Sequence, residues 1–330
     1  MALDAAVVTI IHLKPFLLFS IILNPAVRWY SVKYVSKERV IFSFNSKHEP
    51  VERVKPSELI VLEAEDAFGG QVKSEGASLE TLDWTRVDGA TGPIYVEGAV
   101  PNDTLIVEIL DIKPGDKGVI AVIPGYGALG SKEFRGKAKF VALKDGFAIF
   151  DGKTRVKIKP MIGTIGVAPP PGEEIPTSTP GRHGGNMDVK DVTSGTKLYL
   201  PVFAEGALFA AGDLHAVQAD GELCVSSIEV AGQTLLRFDL IKGKSPRWPI
   251  LETADSYMII VAAEDLDKAA EIASREAVEA LMREHGWSFE EAYMFGSLAV
   301  ELKINQVVDP KKGVRAAIPK EYITLESLLR

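Results

Sequence analysis

Between about Ser31 and Leu251 the sequence is a series of short apolar runs separated by glycine, proline, aspartate and asparagine. Short runs bounded by turn-forming residues are typical of β-strands. No segment in this range has the spacing of an amphipathic helix. The pattern predicts a mainly β fold, either a β-sandwich or a distorted barrel, and we expect a distorted, jelly-roll-like β-sandwich.

The sequence changes character after residue 263. From Ala263 to His285 apolar residues recur at helical spacing, among them Ala277 and Leu281. A second helix is predicted to begin at Ser288, because its hydroxyl can cap the first turn while Glu291, three residues later, reaches back to it. We therefore expect a small C-terminal α/β addition of about two helices.

These patterns divide the chain into an N-terminal extension, residues 1–31, and one domain over residues 32–330. Within the domain, the β body covers about 32–251 and the helical addition about 263–308. The extension contains the apolar run Phe16–Leu23, which is shorter than the roughly 20 residues that cross a bilayer. We predict no membrane partner and place the extension outside the functional core.

The segment from Gly163 to Pro180 is rich in proline, with three consecutive prolines at Pro169–Pro171. Proline cannot donate a hydrogen bond to a neighbouring strand, which argues against a central strand here. Because strand-like sequence flanks the segment on both sides, we interpret it as an active-site loop rather than a linker between domains.

Composition limits the partners and the cofactor. Acidic residues outnumber basic ones, 45 to 37, and no block of lysine and arginine could follow a phosphate backbone, so no nucleic-acid partner is predicted. The single cysteine, Cys224, excludes an intramolecular disulfide and a zinc site built from several thiolates. Any metal ion must therefore be bound by histidine, carboxylate or amide oxygen.

The residues that could carry chemistry lie in two short segments of an otherwise apolar stretch. Residues two apart on a strand face the same side of a sheet, so Asn186 is paired with Asp188, and Asp213 with His215. Burying this many ionisable groups is costly unless a cation or a hydrogen-bond network compensates them. Taken singly, each aspartate beside a glycine is more often a turn residue, but their convergence favours a functional site.

The pair Asp220–Gly221 lies between apolar runs and predicts a tight hairpin turn. With a two-residue turn, Glu222 lies on the same face of the sheet as Asp213 and His215. The same alternation places Gln218 on the opposite face, so its inclusion in the site requires a longer or bulged turn.

A histidine with several carboxylates and an amide suits a divalent metal ion. We predict zinc first, with manganese or calcium as alternatives. Such an ion lowers the pKa of bound water and polarises a carbonyl group, which suits hydrolysis of a carbonyl compound. A carboxylate left over would accept the proton of water and deliver it to the leaving group. The predicted ligands are Asn186, Asp188, Asp213, His215 and Glu222, and the predicted catalytic carboxylates are Glu222, Asp220 and Asp188.

Other catalytic schemes fit less well. Cys224 lies between apolar residues and is interpreted as a small buried side chain rather than a nucleophile. The glycine pattern of Gly125–Gly130 is not followed by a helix, so we interpret it as a loop bordering the pocket and not as a nucleotide site.

Four segments together resemble the acetamidase/formamidase family: Thr91–Ala99, Gly163–Pro169, His183–Asp188 and Gly212–Glu222. The resemblance extends from about His48 to Tyr322. It implies a β-sandwich-rich fold, a cytoplasmic location, a homo-oligomer, and hydrolysis of formamide, acetamide or similar short linear amides to acid and ammonia.

The polar residues of the family motifs match this sequence at Asn186, Asp188, Asp213, His215, Gln218, Asp220 and Glu222. A further acidic motif matches at Asp66, which is either near the same pocket or in a turn at the end of a strand. Together with His183 and Gln218, Asp66 is predicted to bind the substrate.

Two other hypotheses remain open. The chain could hydrolyse another small C–N bond with the help of a metal, such as that of a ureido compound or a cyclic amide. It could also be a non-catalytic β-sandwich module that binds a ligand through calcium, although His215 disfavours calcium, which prefers oxygen ligands.

Overall fold

The computed structural model describes residues 8–11, 18–21, 28–75, 77 and 79–330. Part of the predicted N-terminal extension, including residues 1–7 and half of the apolar run Phe16–Leu23, lies outside these residues. The four described residues of that run form a strand.

The described chain is built mainly from β-strands, with two α-helices near its C-terminus. The strands are β1 (Val8–Ile11), β2 (Leu18–Ile21), β3 (Arg28–Val35), β4 (Val40–Ile41), β5 (Ser43–Asn45), β6 (Glu52–Val54), β7 (Leu59–Ala64), β8 (Ala90–Val96), β9 (Thr104–Pro114), β10 (Lys117–Val122), β11 (Lys137–Lys144), β12 (Phe147–Ile149), β13 (Arg155–Lys157), β14 (Met161–Gly166), β15 (Glu174–Pro176), β16 (Gly184–Asn186), β17 (Lys197–Pro201), β18 (Phe209–His215), β19 (Gly232–Ile241), β20 (Ile250–Glu252), β21 (Ser256–Ala263), β22 (Glu301–Gln306) and β23 (Lys312–Pro319). The helices are α1 (Leu266–His285) and α2 (Phe289–Ala299). The predicted mainly β fold with two C-terminal helices is confirmed.

The largest sheet has eleven strands in the order β1-β2-β3-β7-β19-β9-β17-β20-β21-β23-β22. Strand β20 joins β17 of the body to β21, so the same sheet continues into the C-terminal part. One face of the body part covers a large apolar core with Ile60, Val107 and Phe238. The C-terminal strands bury a second core against the helices.

A six-stranded sheet contains the order β16-β14-β18-β8-β4, with β6 also paired to β8. All residues of β14 and β18 are buried, as expected of strands covered on both faces. The prediction that a central strand is excluded from Gly163 onward is wrong, because Gly163–Gly166 lies in β14, between β16 and β18. The physical reason is that the prolines begin only at Pro169, so these four residues keep their N–H groups.

Helix α1 begins after the N-cap Asp265 and ends at Gly286, whose φ of 69° is the left-handed conformation that glycine adopts easily at a helix end. Its small residues, such as Ala273 and Ala277, pack on β21 and β23. Helix α2 begins with the predicted capping box of Ser288 and Glu291. Among the described residues, no helix is both long and apolar enough to span a bilayer.

Candidate active site

A cavity of about 290 Å³ opens at the end of the six-stranded sheet. Seven of its lining side chains are ionisable, six acids and one histidine, and we call them the carboxylate cluster. Its members are Asp88, Asp188, Asp213, His215, Glu222, Glu229 and Asp309. The sequence analysis identified four of these, Asp188, Asp213, His215 and Glu222, and the structure brings all four into one cavity.

Asp213 and His215 lie at the C-terminal end of strand β18, and both side chains are buried. Asp188 follows β16 and lies beside them. Asp188 and Asp213 have φ values of 47° and 52°, a left-handed conformation that is uncommon for residues other than glycine. Asp88 and Glu222 also have positive φ values, 53° and 28°, so the backbone is held in an unfavourable conformation at four members of the carboxylate cluster.

Gly163 of β14 allows the carboxylates of Asp188 and Asp213 to approach the sheet. A methyl group placed on its Cα would lie 2.6 Å from Oδ1 of Asp188 and closer still to the carboxylate of Asp213. Only glycine leaves room for both acids at this position.

The imidazole of His215 is oriented by Gln218. The side-chain nitrogen of Gln218 donates to the backbone oxygens of Asp188 and Asn305, at 2.7 and 3.2 Å. Its oxygen therefore faces Nδ1 of His215, 2.8 Å away, and accepts a hydrogen bond from that nitrogen. This arrangement directs Nε2 of His215 toward the acids.

Nε2 of His215 lies 3.1 Å from Oδ1 of Asp213 and 3.0 Å from Oε2 of Glu229. Two acceptor oxygens around this nitrogen require either a proton on it or a cation between the three groups. Burial lowers the pKa of His215, but the charges of Glu229 and Asp213 outweigh burial and raise it well above its usual value. A proton and a metal ion would thus compete for the same position.

Several oxygens of these acids lack a hydrogen-bond partner. Both oxygens of Asp188, and one each of Glu222, Glu229 and Asp309, are buried without a hydrogen bond. Burial raises the pKa of Asp188 well above its usual value, with further contributions from the charges of Glu222 and Asp213. An uncompensated group of buried acids is unfavourable, and a bound cation would remove the penalty.

The donor atoms fit a divalent ion. Asp188, His215 and Glu222 form one trio, and Asp213, His215 and Glu229 form another; within each trio the donor atoms lie within 4.8 Å of one another. The separations of 3.0 and 3.1 Å around Nε2 are close to the roughly 3.3 Å expected between tetrahedral zinc ligands. A mixed nitrogen and oxygen set favours zinc or manganese over calcium.

Asn186 lines the same cavity, but its side chain is already engaged. Its oxygen accepts from the hydroxyl of Thr164 at 2.9 Å, and its nitrogen donates to Oδ1 of Asp309 at 3.3 Å. The structure thus gives Asn186 a role in holding Asp309. Its role as a metal ligand stays a prediction.

The predicted hairpin at Asp220–Gly221 is only partly right. A turn does close here, with the N–H of Glu222 donating to the oxygen of Ala219 at 3.3 Å. No ladder of strands flanks it, because β18 ends at His215 and Gly221 instead bridges to Gln306 of β22. Leaving the strand at His215 frees Gln218 from the alternation that would place it on the opposite face.

Asp220 points away from the cavity. Its carboxylate forms ion pairs with Lys190 at 2.7 Å and with Arg315 at 2.6 Å. Burial acts to raise its pKa, but these two cations lower it below the usual value. The geometry therefore does not support Asp220 as the base, because this carboxylate is held in ion pairs outside the cavity.

Asp66 and His183 also lie outside the lining of this cavity. Asp66 borders a second cavity with Lys37 and Arg86, and it accepts from the N–H of Gly70 at 3.2 Å, as a turn residue does. His183 is buried edge-on against Phe44, and burial lowers its pKa to about 4. Neither placement supports direct contact with a substrate in the carboxylate cluster.

Three members of the carboxylate cluster escaped the sequence analysis, namely Asp88, Glu229 and Asp309. Asp88 precedes Gly89 and looks like an ordinary turn residue, and it retains some solvent exposure. Glu229 lies between Ile228 and Val230, so an acid within a buried apolar run was an available signal.

The entrance of the cavity differs from its interior. Trp84 and Tyr126 stack with ring centres 5.3 Å apart and are 45% and 43% exposed. Phe68, Val87 and Val225 line the cavity with them, and we call these five residues the apolar mouth. Tyr126 belongs to the predicted glycine-rich loop, which borders the cavity as expected.

Comparison with known proteins identifies the family. Two adjoining matches to the model of the acetamidase/formamidase family cover residues 36–172 and 171–324. The chain belongs to this family. The family predicted from the sequence motifs is therefore confirmed.

Solved structures of acetamidase/formamidase relatives share the fold. A Bacillus halodurans acetamidase is 39% identical with a TM-score of 0.86, and the match covers 89% of this chain and 99% of that one. A predicted acetamidase/formamidase from Thermoanaerobacter tengcongensis is 42% identical with a TM-score of 0.85, covering 90% and 98%.

Curated relatives in sequence include a formamidase from Methylophilus methylotrophus. It is 27% identical, and the match covers 83% of this chain and 86% of the relative. The chain aligns with 61% and 63% of the length of two other curated relatives.

Proposed function

We propose that this chain hydrolyses the C–N bond of linear amides, such as formamide and acetamide, to a carboxylic acid and ammonia, with the help of a divalent metal ion. The observation that carries the proposal is the carboxylate cluster: buried acids surround one imidazole, and several of their oxygens have no hydrogen-bond partner. Membership of the acetamidase/formamidase family and the names of its relatives support this reaction.

The residues divide into two roles. Asp213, His215 and Glu229 would hold the ion, and Asp188 lies close enough to complete the ligand set. We propose zinc, with manganese or calcium as alternatives. When bound, such an ion supplies Lewis acidity, which polarises an amide carbonyl and lowers the pKa of water from about 15.7 to near 7.

Glu222 is the proposed general base. It lines the cavity and has a buried oxygen without a hydrogen-bond partner, which can accept a proton from water. The water oxygen then bonds to the carbonyl carbon and the C–N bond breaks. Glu222 returns the proton to the nitrogen, so that water and amide give acid and ammonia.

Gln218 and Asn186 position these groups. Gln218 fixes the imidazole with its Nε2 toward the acids, and Asn186 holds Asp309. For Gln218 we therefore propose an indirect role, acting through His215, in place of the substrate-binding role predicted from the sequence.

The proposal is tested by ammonia release from formamide and acetamide. We expect turnover with zinc, loss of turnover on chelation, and recovery when zinc is restored. His215→Ala and Glu229→Gln should lose activity by at least a thousandfold, on the scale typical for essential catalytic groups. Asp239→Asn, at an exposed position of β19, is the control and should keep full activity. Absence of ammonia with every divalent metal tried would contradict the proposal.

We also propose a cytoplasmic homo-oligomer, as the family resemblance implies. Helix α2 and strand β22 expose six large apolar side chains: Phe289, Tyr293, Met294, Leu298, Leu302 and Ile304. Strand β22 lies at the edge of the large sheet. An apolar surface of this kind beside an edge strand is a suitable interface for a second copy of the chain.

The charges of β22 suit antiparallel pairing with its own copy. A two-fold axis at Leu302 would place Glu301 opposite Lys303 of the second copy, and Leu302 opposite its equivalent. Lys303→Glu should therefore weaken the oligomer, and Glu301→Lys with Lys303→Glu should restore it. Light scattering after size exclusion measures both. A wild-type monomer at micromolar concentration would exclude this interface.

A further inference from the structure

The cavity is larger than formamide or acetamide requires. These amides have three and four heavy atoms, and a water molecule takes up about 30 Å³ in the liquid. The cavity volume of about 290 Å³ instead approaches the roughly 300 Å³ at which pockets begin to enclose drug-sized ligands. Even with an ion in the carboxylate cluster, space remains toward the entrance.

Much of the remaining lining is apolar. Phe68, Trp84, Val87, Tyr126 and Val225 contribute to it beside Ser178 and Ser226, and Trp84 and Tyr126 are exposed whereas the unpartnered carboxylate oxygens are buried. Two exposed leucines extend this surface outward: Leu223, whose backbone oxygen accepts from the N–H of Ala128, and Leu129, next to that residue. Exposed aromatic rings at the entrance of a polar cavity are unfavourable in water unless a ligand or partner covers them.

The buried acids determine which end of an amide substrate faces the carboxylate cluster. A primary amide nitrogen carries two N–H donors, and the carboxylate cluster offers acceptors, so the nitrogen end is directed inward. The acyl group then extends outward, along the apolar mouth. Among the described residues that line the cavity there is no lysine or arginine, so nothing there would pair with a negative charge on the acyl group.

We propose that the preferred substrates are neutral primary amides whose acyl group carries an aromatic ring or an apolar group of similar size, packed against Trp84 and Tyr126. This inference rests on the proposed function and names its substrate class. Hydrolysis of such an amide is the same balanced reaction, in which water and amide give an arylalkanoic acid and ammonia. Trp84 and Tyr126 determine specificity and take no part in proton transfer.

The experiment compares phenylacetamide with acetamide in the zinc-loaded protein. The value of kcat/KM for phenylacetamide should exceed that for acetamide by at least about tenfold, because the ring leaves water when it enters the apolar mouth. An analogue with a carboxylate on the ring should lose at least about tenfold relative to phenylacetamide.

Variants test the assigned surface. Trp84→Ala should lower the ratio of the two kcat/KM values by about tenfold, mainly through KM for phenylacetamide, and Trp84→Phe should restore most of it. Phe150→Ala is the matched control, since Phe150 is 42% exposed but does not line the cavity. It should leave the ratio unchanged.

The possible failures are distinguishable. Acetamide turnover without a preference for phenylacetamide would overturn this inference and leave the proposed function standing. A preference unaffected by both Trp84→Ala and Tyr126→Ala would overturn the assignment of the surface. Failure to release ammonia from any amide would refute the proposed function, and this inference with it.

Discussion

Two groups of buried charge lie close together in this protein and are compensated in opposite ways. One is the carboxylate cluster. The other, which we call the Arg315 node, consists of Arg315, Asp191, Asp220 and Asn305. Arg315 is fully buried, and its guanidinium lies 2.9 Å from Asp191, 2.6 Å from Asp220 and 2.9 Å from Asn305.

The difference lies in where the positive charge comes from. The Arg315 node contains its own cation within the chain, whereas the carboxylate cluster surrounds a single imidazole with six acids. A buried acid paired with arginine is explained by structure alone. Acids left without partners indicate a site for something that the polypeptide does not supply, which is why the second group and not the first points to function.

The largest expected effect is on the Arg315 node. Arg315→Met removes the buried guanidinium that Asp191 and Asp220 share and leaves each acid with one lysine at the surface, so it should reduce the free energy of unfolding by about 3 kcal/mol. Urea denaturation measures this change. Arg237→Met, which removes a mostly exposed pair with Glu108, is the control and should cost less than about 1 kcal/mol. Equal losses in the two variants would mean that burial of the Arg315 node has no special importance.

Gly163→Ala tests whether the carboxylate cluster needs the space that this glycine leaves free. The added methyl group meets the carboxylates of Asp188 and Asp213, so we expect a loss of about 1 to 3 kcal/mol of stability together with loss of zinc binding by calorimetry. Gly152→Ala is the matched control, because a methyl group there contacts nothing within 4 Å. Normal zinc affinity in Gly163→Ala would contradict the proposed ligand set.

The smallest expected effect, counted per pH unit, is on the free energy of unfolding. Its pH dependence distinguishes the carboxylate cluster from the Arg315 node. Burial, and after it the charges of Glu229 and Asp309, raise the pKa of Glu222 from 4.5 to about 8, although His215 acts in the opposite direction. As pH rises above 4.5, Glu222 ionises in the unfolded chain before it does so in the folded one. The free energy of unfolding of the metal-free protein should therefore fall by about 1.4 kcal/mol per pH unit toward pH 8 from this group alone.

Glu222→Gln should remove that part of the pH dependence, as measured by urea denaturation in the presence of a chelator. Asp220 of the Arg315 node behaves in the opposite way, because its pKa is lowered in the folded chain. Its ionised carboxylate stabilises the folded protein above pH 3.8, and this contribution is lost as the pH falls. A wild-type protein whose stability rises from pH 5 to pH 8 would show that the acids are compensated in some other way.

The sequence predicted what depends on local patterns. Alternating apolar residues and turn signals predicted the β body, and the capping box of Ser288 and Glu291 was correctly located. Same-face spacing brought Asp213 and His215 together, and the convergence of these with Asp188 and Glu222 is confirmed by the shared cavity. The site roles predicted for these four residues stay predictions.

What depended on distant partners could not be predicted. Asp220 resembled a catalytic acid until Arg315, 95 residues later in the chain, was found beside it. Glu229 enters the site because its segment bridges to both Val119 and His215. Neither relation follows from spacing, since a strand pattern fixes which face a residue occupies and not which strand lies next to it.

Asp309, between β22 and β23, has a consequence for biosynthesis. A ribosome completes the segment bearing His215 well before it reaches Asp309 and Arg315, because translation proceeds from the N-terminus. Until those last strands emerge, the wall of the cavity that contains Asp309 is missing. If the proposed metal ion binds, its enclosure would therefore be a late event of maturation, coupled to completion of the fold.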